Sequence, residues 1–539
     1  MTEPIRVEPN AATGAADAVE AADVVETTEA TELAPVEPEA TAPPPLAEGR
    51  EGQELAAVHF VAEYWPYARS GGLAEAVRGI ATFQAASDIP VAVFMPLYRE
   101  VREAYPELRP VWGPYPVPLG GRTEQARLLE APGPPQNPRV LFVEHAGFFD
   151  RDGIYGEDGD YPDNHLRFGF FNLAALLALP DMANVPVVVH AHDWHAALAP
   201  VYLRTVLSGQ KVFDRMASIL SIHNAGYQGH FDPQVLLQVG LPARLFHWEK
   251  LEWYGQLNWL KGGLVFADYV TTVSPTHATE LRTPAGGFGL HHSFIGLGDR
   301  FSGIRNGIDL DVWNPATDAE LVRTFSVEDL SGKALCKREI QRAYGLAEAP
   351  RKPLFGMTAR LVGQKGLDLI LGDELLLRTD AQFVFLGAGE PRYEKALAEL
   401  AAAAPDRIAV EFKFREPLEH QLLGGADLLL MPSQYEPCGL TQMRAQRYGA
   451  LPVARRVGGL ADTIDDQLTG FLFDEYTTEG LERAIGRAIA TYKSDPEAWR
   501  EHMVVAMGRD FGWGSSAEQY LDVYRRALRQ HAAGARAKP

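Results

Sequence analysis

The 539-residue sequence predicts an α/β fold built as two doubly wound domains, and three observations lead there. Short apolar runs rich in β-branched residues recur along the chain with helical patterns between them, the pattern of a parallel sheet covered on both faces. The series restarts near residue 351 after a turn-rich stretch. Glycine pairs and charged residues stand where strands pass into helices, which is where open α/β sheets bind ligands.

In chain order, strands are expected at 57–61, 91–94, 140–143, 185–189, 219–222 and 269–273, then at 353–356, 383–386, 408–410, 428–431 and 451–453. Asn306-Gly307 and Asn314-Pro315 are turn signals, and 345–353 is rich in Ala, Pro and basic residues. The expected domains are 54–312 and 351–515, with a connection at 313–350 and a closing helix and tail at 516–539. Residues 1–53, mostly Ala, Glu, Pro, Thr and Val, read as a disordered acidic tail. It has neither the basic start nor the apolar centre of a secretory signal.

A net charge of -21 argues against nucleic acid or an anionic membrane as the main partner. No apolar run approaches the eighteen or so residues of a membrane span. Two cysteines, Cys336 and Cys438, fit a reducing cytoplasm without a disulfide framework.

Four strand ends carry candidate chemistry. The first, Arg69-Ser-Gly-Gly-Leu73, puts Gly71 and Gly72 at a helix start with Arg69 ahead of them and Glu75 just inside. A phosphate site and a plain tight turn both fit it. The second, His190-Ala-His-Asp-Trp-His195, places His192 at the sheet's ligand-binding edge. With Asp193 between them, His192 and His195 could face one ion, but the strand end and the following helical pattern do not align the imidazoles and no second carboxylate or cysteine joins them, so no metal is expected. The third brings two cations, Arg360 and Lys365, around one turn; they suit a diphosphate, and a solvated basic loop fits the same residues. The fourth is the turn from Ser433 to Leu440, which delivers the carboxylate Glu436 ahead of a helix, with Gly458-Gly459 as a further glycine pair. The pairs Asp150/Asp152 and Asp309/Asp311 have the form of a metal-binding Asp-x-Asp, a pattern that acidic chains produce by chance.

Together, Tyr161-Pro-Asp-Asn164, His190-Ala-His-Asp-Trp-His195, Leu260-Lys-Gly-Gly263, Asn306-Gly-Ile-Asp309, Gln364-Lys-Gly366, Glu436-Pro-Cys-Gly-Leu440 and Gly458-Gly-Leu460 resemble the glycogen synthase and starch synthase family of bacteria and plants, from about Val58 to Tyr524. The resemblance implies the GT-B architecture, two Rossmann-like domains facing a central cleft, with the glucan on the first and the donor mainly on the second. It implies transfer of glucose from ADP-glucose, with UDP-glucose the second choice, to the non-reducing end of an α-1,4-glucan with retention of configuration and no cofactor.

By the same resemblance Arg360 and Lys365 hold the diphosphate and Glu436 the donor glucose. Cys438, Gly439 and Leu440 meet phosphate or sugar, His192 contacts the donor sugar, and Asp163 lines the cleft. Asn306, Gly458 and Gly459 fall in matching substrate-binding segments. Arg69 and Glu75 stand where the family has Lys and Asp, a departure that raises a second reading: a catalytically weak, glucan-binding relative. A glucan phosphorylase fits less well, because no pyridoxal-lysine segment is recognisable.

Overall fold

The computed structural model describes residues 42–46, 54–87, 89–132, 138–157 and 159–536. Most of the expected acidic tail lies outside the described residues. Of its last part, Leu46 is buried and donates its N–H to the Met182 carbonyl at 2.8 Å.

The N-terminal half is organised on β1 (Ala56–Phe60), β2 (Val91–Pro96), β3 (Arg109–Leu119), β4 (Arg122–Glu130), β5 (Arg139–Glu144), β6 (Val187–His192) and β7 (Met216–Ile222). A small antiparallel sheet follows, made of β8 (His230–Phe231), β9 (Glu252–Trp253) and β10 (Gln256–Asn258); β11 (Tyr269–Thr272) and β12 (Phe301–Gly303) then return to the main sheet. The main sheet runs β12-β11-β7-β6-β1-β2-β5-β4-β3, parallel as far as β5 and antiparallel beyond. Its central strands β1, β2, β6 and β7 are buried end to end, as expected of a sheet with helices on both faces.

The β3–β4 hairpin is not foreseen by the sequence reading. β3 carries Pro110, Pro114, Pro116 and Pro118, which remove ladder donors, and it is the edge strand, where proline is tolerated.

The C-terminal half is a six-stranded, wholly parallel sheet in the order β15-β14-β13-β16-β17-β18. Its strands are β13 (Leu354–Thr358), β14 (Gln382–Leu386), β15 (Ile408–Glu411), β16 (Leu428–Met431), β17 (Leu451–Arg455) and β18 (Phe471–Phe473). The chain then crosses back: the helix Gly514–Arg536 packs on β6, β7, β11 and the helix Leu73–Ala86, with Tyr520 and Tyr524 fully buried.

Register does much of the site building. Parallel pairing of β1 with β6 sets His59 beside His190, and β6 with β7 sets His192 beside Ser221. The two halves also meet directly. Thr276 donates its hydroxyl to Asp462 Oδ1 at 2.6 Å, and Glu280 Oε1 accepts the Gly458 N–H at 2.9 Å.

Candidate active site

After β13 a short turn, Gly363–Lys365, closes on Gly366, whose φ of +79° and close approach to Pro432, where an added Cβ would lie 2.1 Å from the carbonyl oxygen, exclude any side chain. That approach docks the turn against the 433–436 segment. Gln364 donates its side-chain amide to the Tyr435 carbonyl at 2.6 Å and accepts the Gln434 N–H at 2.8 Å. Lys365 Nζ therefore reaches Glu436 Oε2 at 2.6 Å, while Ser433 Oγ donates to the same oxygen at 3.0 Å. Glu436 is buried, so the pair is shielded from screening by salt.

Arg360 stands in a different state. Its side chain is exposed and makes no hydrogen bond or ion pair among the described residues. It lines a cavity of about 470 Å³ with Tyr435, Tyr476, Asp368 and Glu390 from the C-terminal half and Tyr227 from the N-terminal half. Aromatic faces, two carboxylates and an unpaired guanidinium suit a flat, hydroxyl-bearing, anionic ligand.

Cys438 is buried next to this turn, and burial pushes its thiol up to about 12, which removes thiolate chemistry near neutral pH. Gly439 needs its φ of +66°. Gly458 and Gly459 approach the carbonyls of Glu436 and Cys438 so closely that a Cβ would lie 2.0 Å away at either position. Their N–H groups are engaged by Glu280 and by the Glu436 and Pro437 carbonyls. As placed, this pair supports the Glu436 turn through the bonds its N–H groups make within the protein. Asn306, also buried, keeps Oδ1 without a hydrogen bond beside Cys438.

On the facing half, Glu63 at the end of β1 organises the first glycine turn. Its carboxylate accepts the N–H groups of Ser70 and Gly71 at 2.5 and 3.2 Å, the Ser70 hydroxyl at 2.7 Å, and the Tyr155 hydroxyl. The Gly71 N–H expected at a phosphate is thus held by Glu63. Arg69 donates to Glu75 at 2.7 Å and to Glu416 at 3.3 Å, so carboxylates already occupy it. A Cβ on Gly72 would lie 3.8 Å from Leu440 Cδ1: the two glycine turns face each other.

His192 is fully buried, with both ring nitrogens engaged: Nε2 with His59 Nδ1 at 2.9 Å and Nδ1 with His223 Nε2 at 3.0 Å. The chain has a direction. Gln84 Oε1 accepts from His59 Nε2, so His59 Nδ1 accepts from His192, and His192 Nδ1 accepts from His223. Gln84 Nε2 donates to the Tyr524 hydroxyl at 2.8 Å, which meets His190 Nδ1 at 2.7 Å; His190 Nε2 then donates to Ser221 Oγ at 2.6 Å. Every imidazole must be neutral for this to hold. Burial enforces that, lowering His59 to about 4 and His223 to about 3, and holding His190 and His192 well below the usual histidine value. In this arrangement the His192 ring braces the end of β6, with both nitrogens committed to His59 and His223.

The histidines that gather are His59, His190 and His192, with ligand atoms within 4.8 Å of one another. His195 instead stacks on Tyr155 at 4.6 Å. Because the cluster's nitrogens already bond to each other, Gln84, Tyr524, Ser221 and His223, the donor set is that of a polar core. Asp163 ends in a two-point pair with Arg151, 2.7 Å at each oxygen; burial pushes its carboxyl up, but the Arg151 bonds and charge outweigh this and leave it below the usual range. Arg99 bridges Asp150 and Asp152 at 3.0 Å each, and the Asp309 carboxylate caps its own turn by accepting the Asp311 N–H.

Comparison with known proteins decides the family. Residues 57–295 match the starch synthase catalytic domain model and 339–502 the glycosyl transferases group 1 model. Glycogen synthase 2 of Geobacter sulfurreducens is 42% identical over 480 residues, 86% of this chain and 97% of that protein. The chain belongs to the glycogen and starch synthase family.

A glycogen synthase of an Anaeromyxobacter species is 43% identical over 476 residues, covering 86% of this chain and 98% of its own. Among solved structures, the catalytic domain of starch synthase IV from Arabidopsis thaliana, bound to ADP and acarbose, matches with a TM-score of 0.80 at 33% identity, over 88% of this chain and all of that one. Sucrose-phosphate synthase from Thermosynechococcus elongatus, at 17% identity and TM-score 0.56, shares the fold. The chain is thus a GT-B glycosyltransferase of the glycogen and starch synthase type, acting between a nucleotide-sugar donor and a glucan acceptor. No described helix is long and apolar enough to cross a membrane.

Proposed function

We propose that the protein transfers glucose from ADP-glucose to the non-reducing end of an α-1,4-glucan with retention of the α configuration. The observation that carries the reading is the unpaired Arg360 on the wall of the tyrosine-lined cavity, next to the Lys365–Glu436 pair. The ADP bound to the Arabidopsis relative supports an adenine nucleotide here.

In this scheme the nucleoside lies against Tyr227, Tyr435 or Tyr476, and Asp368 and Glu390 accept from its hydroxyl or amino groups. The diphosphate meets Arg360 and Lys365. Glu436 Oε2 stays with Lys365 and Ser433, which leaves Oε1 for hydroxyls of the donor glucose. The bond from C1 to the phosphate oxygen breaks as the acceptor 4-hydroxyl attacks from the same face, and the hydroxyl proton passes to the departing phosphate. The two cations stabilise the charge that develops there. Front-face attack is favoured over a double displacement because, of the two candidate nucleophiles at this turn, Cys438 is held as a thiol and one Glu436 oxygen is tied to Lys365 and Ser433. No cofactor or metal is assigned, and the cytoplasm, where nucleotide sugars are at hand, is the proposed location.

Incubation of the full chain with labelled ADP-glucose or UDP-glucose and glycogen tests this. Label in the glucan, greater from ADP-glucose, removable by an α-1,4-specific hydrolase and undiminished by a chelator, is expected. No label from either donor would overturn the reading, and a UDP-glucose preference would overturn the donor assignment.

A further inference from the structure

Arg69 and Glu75 have no part in the transfer scheme above, yet both are tied to the opposite half. Arg69 Nη1 is shared between Glu75, at 2.7 Å, and Glu416 of the C-terminal half, at 3.3 Å. Its guanidinium lies over Trp65 of its own half, 4.6 Å from the ring centre, and near Phe414 of the other, at 5.7 Å. The second oxygen of Glu75 pairs with Arg444 Nη2. Arg444 in turn pairs with Glu419 at 3.3 Å and covers Trp313 at 4.2 Å. The Arg444 and Glu419 side chains are only 7% and 4% exposed, so water does not readily replace these bonds.

Position in the chain gives the network its meaning. Glu75 follows Gly72 by three residues on the helix Leu73–Ala86, and Arg444 follows Leu440 by four on the helix Thr441–Arg447. Gly72 and Leu440 are themselves in near contact. The bond between Glu75 and Arg444 therefore joins the two helices that carry the facing turns. The charge count also matters: Glu75, Glu416 and Glu419 outnumber Arg69 and Arg444, so the cluster carries excess negative charge and does not invite an anion.

We propose that Glu75 and Arg444, backed by Arg69 and Glu416, are positioning residues that set the gap between the Gly71-Gly72 turn and the Cys438-Gly439-Leu440 turn, and with it the fit of the donor. This rests on the donor reading given above. It reassigns Arg69 from a phosphate contact to a tie across the cleft.

The test is steady-state kinetics with ADP-glucose and glycogen, joined to calorimetric titration with ADP, on the full chain carrying Glu75→Gln, Arg444→Gln, both together, or Glu416→Gln. Each single change is expected to raise the donor KM and the ADP Kd at least fivefold, with kcat and the glucan KM within about threefold of the parent. The double variant is expected to be no worse than the weaker single, because the second change removes a bond already lost. Glu75→Asp should recover part of the donor KM. Glu416 is 30% exposed on its side chain, so its variant keeps the test open if a change at buried Arg444 prevents folding. Donor KM and ADP Kd within twofold of the parent for Glu75→Gln and Glu416→Gln, or single effects that multiply in the double variant, would overturn the proposal. A parent protein that neither binds ADP nor uses ADP-glucose would overturn the donor reading and this inference with it, whereas an active parent matched by its variants overturns this inference alone.

Discussion

Arg360 and Lys365 carry the same charge in different settings, and their loss should read out differently. Arg360 has no partner to leave behind, so Arg360→Ala removes only its charge-assisted bonds to the donor. At roughly 1.5 to 3 kcal/mol for such a bond, kcat/KM for the donor should fall by roughly 10- to 150-fold with stability unchanged. Lys365→Ala also strands buried Glu436, which is bonded to it at 2.6 Å, so both kcat/KM and thermal stability should drop. Parallel rate assays and melting curves separate the two; equal melting temperatures would count against the pairing. These two cations and Glu436 were legible in the sequence: strand-end position and residue type pointed to them, and the family resemblance gave them their expected roles. Glu63, Tyr155, Tyr227 and Gln84 were not. Each acts through a partner distant in sequence, such as Gln84 with Tyr524, and nothing local to the residue signals the encounter.

At the scale of elements, the strand ends of β1, β6 and β7 form a buried polar seam that works only with neutral imidazoles. Unfolded histidines titrate near 6.5, whereas His59 is lowered by burial to about 4 and His195 and His223 to about 3. The unfolded chain therefore binds more protons below pH 6.5, and stability must fall as pH drops from about 6.5 toward 4. Asp193 works in the opposite sense: burial raises it to about 7, so its contribution to stability declines as pH rises from about 4 to 7 and offsets roughly one histidine. Denaturant midpoints measured between pH 7.5 and 4.5 should fall on the acid side. His195→Phe should make that slope shallower by about 1.4 kcal/mol per pH unit. His195 packs against Phe168, Trp194 and Tyr155, and its Nδ1 has no partner, so phenylalanine fits the site. A slope identical to the parent's would show that His195 is not held neutral. The parallel strands here were readable from their apolar runs. The β3–β4 edge was not, because its prolines argue against a strand unless its place at the edge is already known.

At the scale of the whole molecule, a two-part α/β chain was evident from the restarted strand series, but how the parts are fastened was not, since ion pairs such as Glu75–Arg444 and Arg69–Glu416 join residues more than 300 positions apart. The last helix shows the same principle. It follows the C-terminal sheet in sequence yet completes the N-terminal one, and its Tyr524 hydroxyl links Gln84 to His190 inside the seam that ends at His192 and His223. Tyr524→Phe keeps the ring and its packing but leaves one donor and one acceptor buried without partners. It should cost about 1 to 3 kcal/mol in denaturant unfolding, with the donor KM unchanged because Tyr524 does not line the cavity at Arg360. Deletion from residue 514 onward removes Tyr520, Val523, Tyr524 and Ala527 from the N-terminal core and should abolish soluble folding. A truncated chain that folds and melts like the parent would refute the view that the N-terminal half depends on this returning helix; loss of folding on deletion, with Tyr524→Phe folded but weakened, would place the dependence in both its apolar face and its single hydroxyl.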